Sequence, residues 1–137
     1  MTGQHEKRAK FKFAQPLSFL FLSFLLMLSA VSPTESIGAP FDKTVDLQGI
    51  NFRVSCKNDS SLNMLYIVPS GLSKDNSPIV REIDGGVSGA EVGDIDADGS
   101  PEIYVYVTSA GSGSYGSVIA YSANRKKSLS EIYFPPL

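Results

Sequence analysis

The chain has 137 residues, a formal net charge of −2, 42% hydrophobic and 19% charged residues, one Cys and no Trp. That length suits one domain and hardly two, and the composition is too apolar and too weakly charged for a disordered chain. The near-even charge balance argues against a nucleic-acid partner, because the only basic run after residue 38 is Arg125-Lys126-Lys127.

Residues 1–38 differ from the rest. They hold five of the eight Phe, the single His (His5) and the basic residues Lys7, Arg8, Lys10 and Lys12. A basic, polar start is followed by an uncharged run from Leu17 to Val31, broken only by Ser18, Ser23 and Ser29, and then by Ser32-Pro33-Thr34. This is the order of a secretory signal peptide. As a helix the run would reach only about 22 Å, short of the ~30 Å hydrocarbon core, which disfavours a membrane anchor. Residues 1–38 are therefore expected to be a signal peptide and short polar leader that is removed. The cut is expected between Ala30 and Ala39, after Leu28-Ser29-Ala30 or after Ser36-Ile37-Gly38. What remains, residues 39–137, is expected to be an exported domain free of the membrane.

That domain carries 12 acidic and 8 basic residues and no His. Without His, Ser-His-Asp and Cys-His nucleophiles are excluded, and with them most zinc, copper and non-haem iron sites. The acids crowd into one short loop where a sugar would hardly fit between them, which disfavours a glycosidase. The expectation is a protein that is not an enzyme and requires no cofactor. The single Cys56 allows no internal disulfide. It reads as a small buried hydrophobe rather than a bridge between chains.

From Ala39 onward, short β-branched and aromatic runs alternate with turn clusters, the pattern of an all-β sandwich or barrel. Val45 and Leu47 open a first strand, punctuated by Gly49. Ile50, Phe52 and Val54 share one face, with Asn51 and Arg53 on the other. After the turn Lys57-Asn58-Asp59-Ser60 come Leu62–Val68 and then Ile79–Ile83, with Gly85-Gly86 as a tight turn. Val87–Val92 leads into the acidic loop. Ile103–Val107 follows, its two faces both apolar or aromatic, then Val118–Tyr121 and Leu129–Phe134. The expected fold is an antiparallel β-sandwich or flattened barrel of about seven to eight strands.

Two loops offer chemistry. In Asp94-Ile95-Asp96-Ala97-Asp98-Gly99-Ser100-Pro101-Glu102, carboxylates at positions 1, 3 and 5 with Gly at 6 match the opening of a calcium-binding EF-hand loop. Position 12 is Val105 instead of a bidentate Glu, so the EF-hand is incomplete, and Glu102 at position 9 is similar to the short calcium loops of integrin-like propeller repeats. Asp94, Asp96, Asp98 and Glu102 are the candidate calcium ligands. The same residues also read as a turn in which Asp side chains cap backbone amides.

The second loop, Thr108–Ser117, holds four Ser and three Gly in ten residues, longer than a plain hairpin needs. Gly111, Gly113 and Gly116 let it project, while Ser112 and Tyr115 carry hydroxyls. Tyr is a rigid amphipathic anchor with few rotors to freeze. Composition alone favours a flexible connector with Tyr115 folded back on the sheet.

Ser112-Gly113-Ser114-Tyr115 is an SGxY motif. Together with the Asp94–Glu102 loop, the Ile103–Val107 strand and Val118–Ser122, it resembles the periplasmic inhibitors of invertebrate-type (i-type) lysozyme. The resemblance is densest from Ala90 to Pro136. It implies a periplasmic protein, or failing that a secreted one, whose partner is an i-type lysozyme. It also implies that Ser112, Gly113, Ser114 and Tyr115 enter the enzyme's cleft, with Ser112 and Tyr115 bonding its catalytic carboxyl groups. Arg125, Lys126 and Lys127 would pair with acids at the rim, or else form a solvated hairpin tip. Family members are expected to run on past Leu129–Phe134, so the resemblance implies missing terminal strands and an open sheet edge. With Cys56, that edge leaves a homodimer open. The alternative function is a calcium-binding adhesion or recognition module centred on the Asp94–Glu102 loop.

Overall fold

A computed structural model describes residues 38–111, 113 and 115–135. The expected signal peptide lies outside the described residues, as do Ser112 and Ser114 of the SGxY motif. Among the described residues there are no helices, and none therefore that is long and apolar enough to cross a membrane.

Eight strands form two four-stranded antiparallel sheets, each a simple meander. The first contains β1 (Phe41–Leu47), β2 (Ile50–Cys56), β3 (Leu62–Ser70) and β4 (Ile79–Asp84). The second contains β5 (Gly86–Gly93), β6 (Glu102–Thr108), β7 (Gly116–Asn124) and β8 (Ser128–Ile132). The all-β sandwich expected from the alternation is the observed architecture.

The period-2 pattern explains the core. Ile50, Phe52, Val54 and Cys56 alternate inward on β2, and Leu65 and Ile67 do so on β3. Ile103, Val105 and Val107 of β6 face them, with Val87 and Ala90 of β5 and Tyr121 and Ala123 of β7. Tyr104 and Tyr106, on the other face of β6, are half-buried. Cys56 lies in this core as a free thiol, so a bridge between chains through it would require the sandwich to open.

Gly85-Gly86 is a corner rather than a hairpin turn, because β4 and β5 belong to different sheets. Gly85 has φ +107°, and a Cβ there would run into the backbone of Thr108 and Ser109. Two buried asparagines brace this corner. Asn58 Nδ2 donates to the carbonyls of Ala39 (2.9 Å) and Val87 (3.0 Å), and its Oδ1 accepts from the Val87 amide (2.9 Å). Asn63 Nδ2 donates to the Gly85 carbonyl (2.7 Å).

The meanders sort the connections into two groups at opposite ends of the sandwich. At one end lie the β2–β3 connection, the Gly85 corner and the β6–β7 loop. At the other lie the β1–β2 turn, the β3–β4 loop, the acidic β5–β6 loop and the β7–β8 turn.

Candidate functional site

The β6–β7 loop grows from a regular ladder whose last pair is Thr108 with Gly116. The Ser109 amide then donates to the Tyr115 carbonyl (2.9 Å), which closes the stem one step further out. Within the loop, the Gly111 amide donates to Ser109 Oγ (3.2 Å). Beneath it, Thr108 pairs on its other side with Gly86, so the stem is tied to the braced corner. Tyr115 is 78% exposed. Its ring lies over Gly113, and a Cβ on Gly113 would occupy the space of that ring. The expectation from composition, a tyrosine folded back on the sheet, is thus not met: Tyr115 leans on its own loop and faces solvent.

No residue from Thr108 to Ser117 carries a charge. Beside the stem, the outer face of the second sheet has an apolar groove lined by Tyr104, Tyr106, Gly116, Val118 and Phe134. The Tyr106 hydroxyl donates to Glu91 Oε2 (2.9 Å), and that bond raises the phenol above its ordinary pKa. Phe134 and the bracing Asn58 were not singled out from the sequence as site residues. Asn58 sits in an evident turn cluster, but only the fold reveals that its side chain reaches β5.

Arg125, Lys126 and Lys127 stand elsewhere. β7 carries the chain nine residues away from the loop, roughly 30 Å, before the β7–β8 turn. There the carbonyls of Lys126 and Lys127 accept amides of Ser73, Lys74 and Asp75, and Lys126 Nζ donates to the Gln48 carbonyl (2.9 Å). The structure does not bring this basic run to the loop: it forms a hairpin tip between β7 and β8, the alternative that the sequence offered beside rim contacts.

The acidic loop lies at that far end too. Asp94, Asp96, Asp98 and Glu102 each direct a carboxylate oxygen to one place, all within 4.8 Å of one another. Local amides organise the loop. Asp94 accepts from the amides of Asp98 (3.1 Å) and Gly99 (3.0 Å), and Asp98 accepts from Ser100 (2.7 Å). Gln48 Nε2, from the β1–β2 turn, donates to Asp94 Oδ2 (2.7 Å) and holds that carboxyl below the usual range. Glu102 opens β6 and is buried. Burial pushes its carboxyl above the usual range, and the charges of Asp96, Asp94 and Asp98 push it the same way, against the Ile95 amide bonded to Oε2 (2.9 Å).

No curated protein and no solved structure matches the chain. A family model does, over the segment from the end of β3 to just past β8, which includes both loops. The family consists of lysozyme inhibitors rather than enzymes and is described as periplasmic. Over residues 70–133, the chain matches the family of periplasmic lysozyme inhibitors of I-type lysozyme.

Proposed function

We propose that this protein blocks an I-type lysozyme by inserting the Ser112-Gly113-Ser114-Tyr115 loop into the active-site cleft, and so protects the bacterial wall. The exposure of Tyr115 on a loop with a hydrogen-bonded stem carries this reading.

Glycoside hydrolysis depends on paired carboxyl groups flanking the sugar bond. A plug for such a cleft must donate hydrogen bonds and must not bring negative charge. The loop meets both demands, with hydroxyls on Ser112 and Tyr115 and no acidic side chain. The four clustered carboxylates sit at the other end of the sandwich, where distance and salt screen them from the enzyme's acids. Their charge still serves encounter, because residues 39–137 carry 12 acidic and 8 basic groups and would draw in a basic enzyme. No bond in the inhibitor need break. The sugar is simply excluded. The groove between Tyr104 and Phe134 gives the enzyme's cleft wall an apolar surface beside the stem.

Each hydrogen bond to a charged carboxylate contributes about 1.5–3 kcal/mol. Removing both hydroxyls by Ser112→Ala with Tyr115→Phe should therefore weaken inhibition by about a hundredfold or more. The measurement is the concentration needed to halt turbidity loss of bacterial cell walls under an I-type lysozyme, with c-type and g-type enzymes as controls. Unchanged inhibition by the double variant would refute the loop mechanism.

A further inference from the structure

We infer that Asp94, Asp96, Asp98 and Glu102 bind one calcium ion at the end of the sandwich opposite the inhibitory loop. The inference goes beyond lysozyme inhibition and does not depend on it.

Two independent observations carry it. The first is convergence: four carboxylate oxygens meet within 4.8 Å, and neither ion pair among the described residues involves them. The second is Glu102. This side chain is only 3% exposed, one oxygen accepts the Ile95 amide, and Oε1 is buried without a hydrogen-bond partner. A buried carboxylate oxygen left unpaired beside three aspartates is costly, since desolvation and like-charge repulsion act together. A cation at the point of convergence removes both penalties.

The donor set identifies the cation. Four carboxylates and no His or thiolate make a hard, all-oxygen site, which excludes a zinc-like preference. Oxygens bound to calcium at 2.3–2.6 Å lie up to about 5 Å apart, whereas magnesium's shorter bonds allow only about 4 Å. Convergence within 4.8 Å accommodates the larger ion, and the irregular loop, with Ala97 at φ 56° and Gly99 at φ 82°, suits its tolerance of irregular geometry. The site is no EF-hand, because its fourth carboxylate comes from the first residue of β6 rather than from position 12. Bound calcium would therefore fix the loop directly to the strand and, through Asp94 and Gln48, to the β1–β2 turn of the other sheet.

The test uses the exported protein after chelation. Thermal melting is compared with and without about 1 mM calcium, then with magnesium, and stoichiometry is read by titration calorimetry. Wild type should gain about 5 °C or more with calcium at one ion per chain, and much less with magnesium. Asp96→Asn, an exposed change that leaves packing intact, and Glu102→Gln should each lose most of that gain. No calcium shift at about 10 mM, an equal shift with magnesium, or a full shift in both variants would overturn the site. Cell-wall turbidity is recorded in parallel. A wild type that inhibits but binds no calcium sinks only this inference, and one that binds calcium while its inhibition survives Ser112→Ala with Tyr115→Phe sinks only the loop mechanism.

Discussion

Gly113 is where a single atom matters most to the proposed mechanism. The Tyr115 ring rests where a Gly113 side chain would be, so the glycine lets the loop hold its tyrosine before any enzyme arrives. Preorganisation of this kind lowers the ordering cost of binding. Gly113→Ala should displace the ring and weaken inhibition about tenfold or more, while the melting temperature stays within a degree or so, because the loop is outside the core. Arg53 donates two hydrogen bonds to Asp42 across the β1–β2 pair, and these hold the Asp42 carboxyl below its usual range. A carboxylate with a depressed folded pKa adds stability above its unfolded pKa and loses it as pH falls through the folded one. Asp42→Asn should thus be slightly less stable than wild type at neutral pH in urea melts, and the two should converge as pH falls through the lowered pKa of Asp42. The pair is exposed, so salt should shrink the difference as well.

At the scale of elements, the β7–β8 turn shows a local conflict. Arg125 and Lys126 take φ values of 47° and 54°, the left-handed geometry of a two-residue hairpin that favours Asn-Gly. The Lys127 amide still closes the turn on the Asn124 carbonyl (2.9 Å). Replacing Arg125-Lys126 by Asn-Gly should stabilise the domain by about 0.5–1 kcal/mol, measured by urea unfolding, without changing inhibition. Unchanged inhibition also follows from strand direction, which puts this turn far from the loop. The strands themselves were legible because alternation is a local signal: Ile50, Phe52 and Val54 announce an inward face whatever lies opposite. The role of Gly85 was not, since a glycine pair between two strands looks alike whether the chain folds back in one sheet or crosses to the other. Only the pairing of β4 and β5 into separate sheets separates a corner from a hairpin. The distance of Arg125–Lys127 from the loop was hidden for the same reason. The sequence separation from the loop is short, but a straight nine-residue strand turns it into the length of the domain.

For the whole molecule, the sandwich works as a spacer. Two meanders braced by the core of β2, β3 and β6 keep the uncharged loop and the carboxylate cluster at opposite ends. The acidic residues along the chain gave both a calcium reading and a plain turn reading, because position 12 of the motif is Val105. Burial of Glu102 is what supports the proposed calcium site, and burial depends on the Gly93–Glu102 and Glu102–Ser122 pairings that no local pattern announces. The β6–β7 connection was legible from composition and placement, whereas the outward stance of Tyr115 was not. The proposed loop contact uses one end and the proposed calcium site the other, so each should survive loss of the other.

The most direct measurement is a crystal structure of the complex with an I-type lysozyme. The Tyr115 hydroxyl and the Ser112 hydroxyl should lie within hydrogen-bond distance, about 2.5–3.0 Å, of the enzyme's catalytic carboxyl oxygens. A complex in which the enzyme contacts the Arg125–Lys127 end, with Tyr115 still in solvent, would contradict the account.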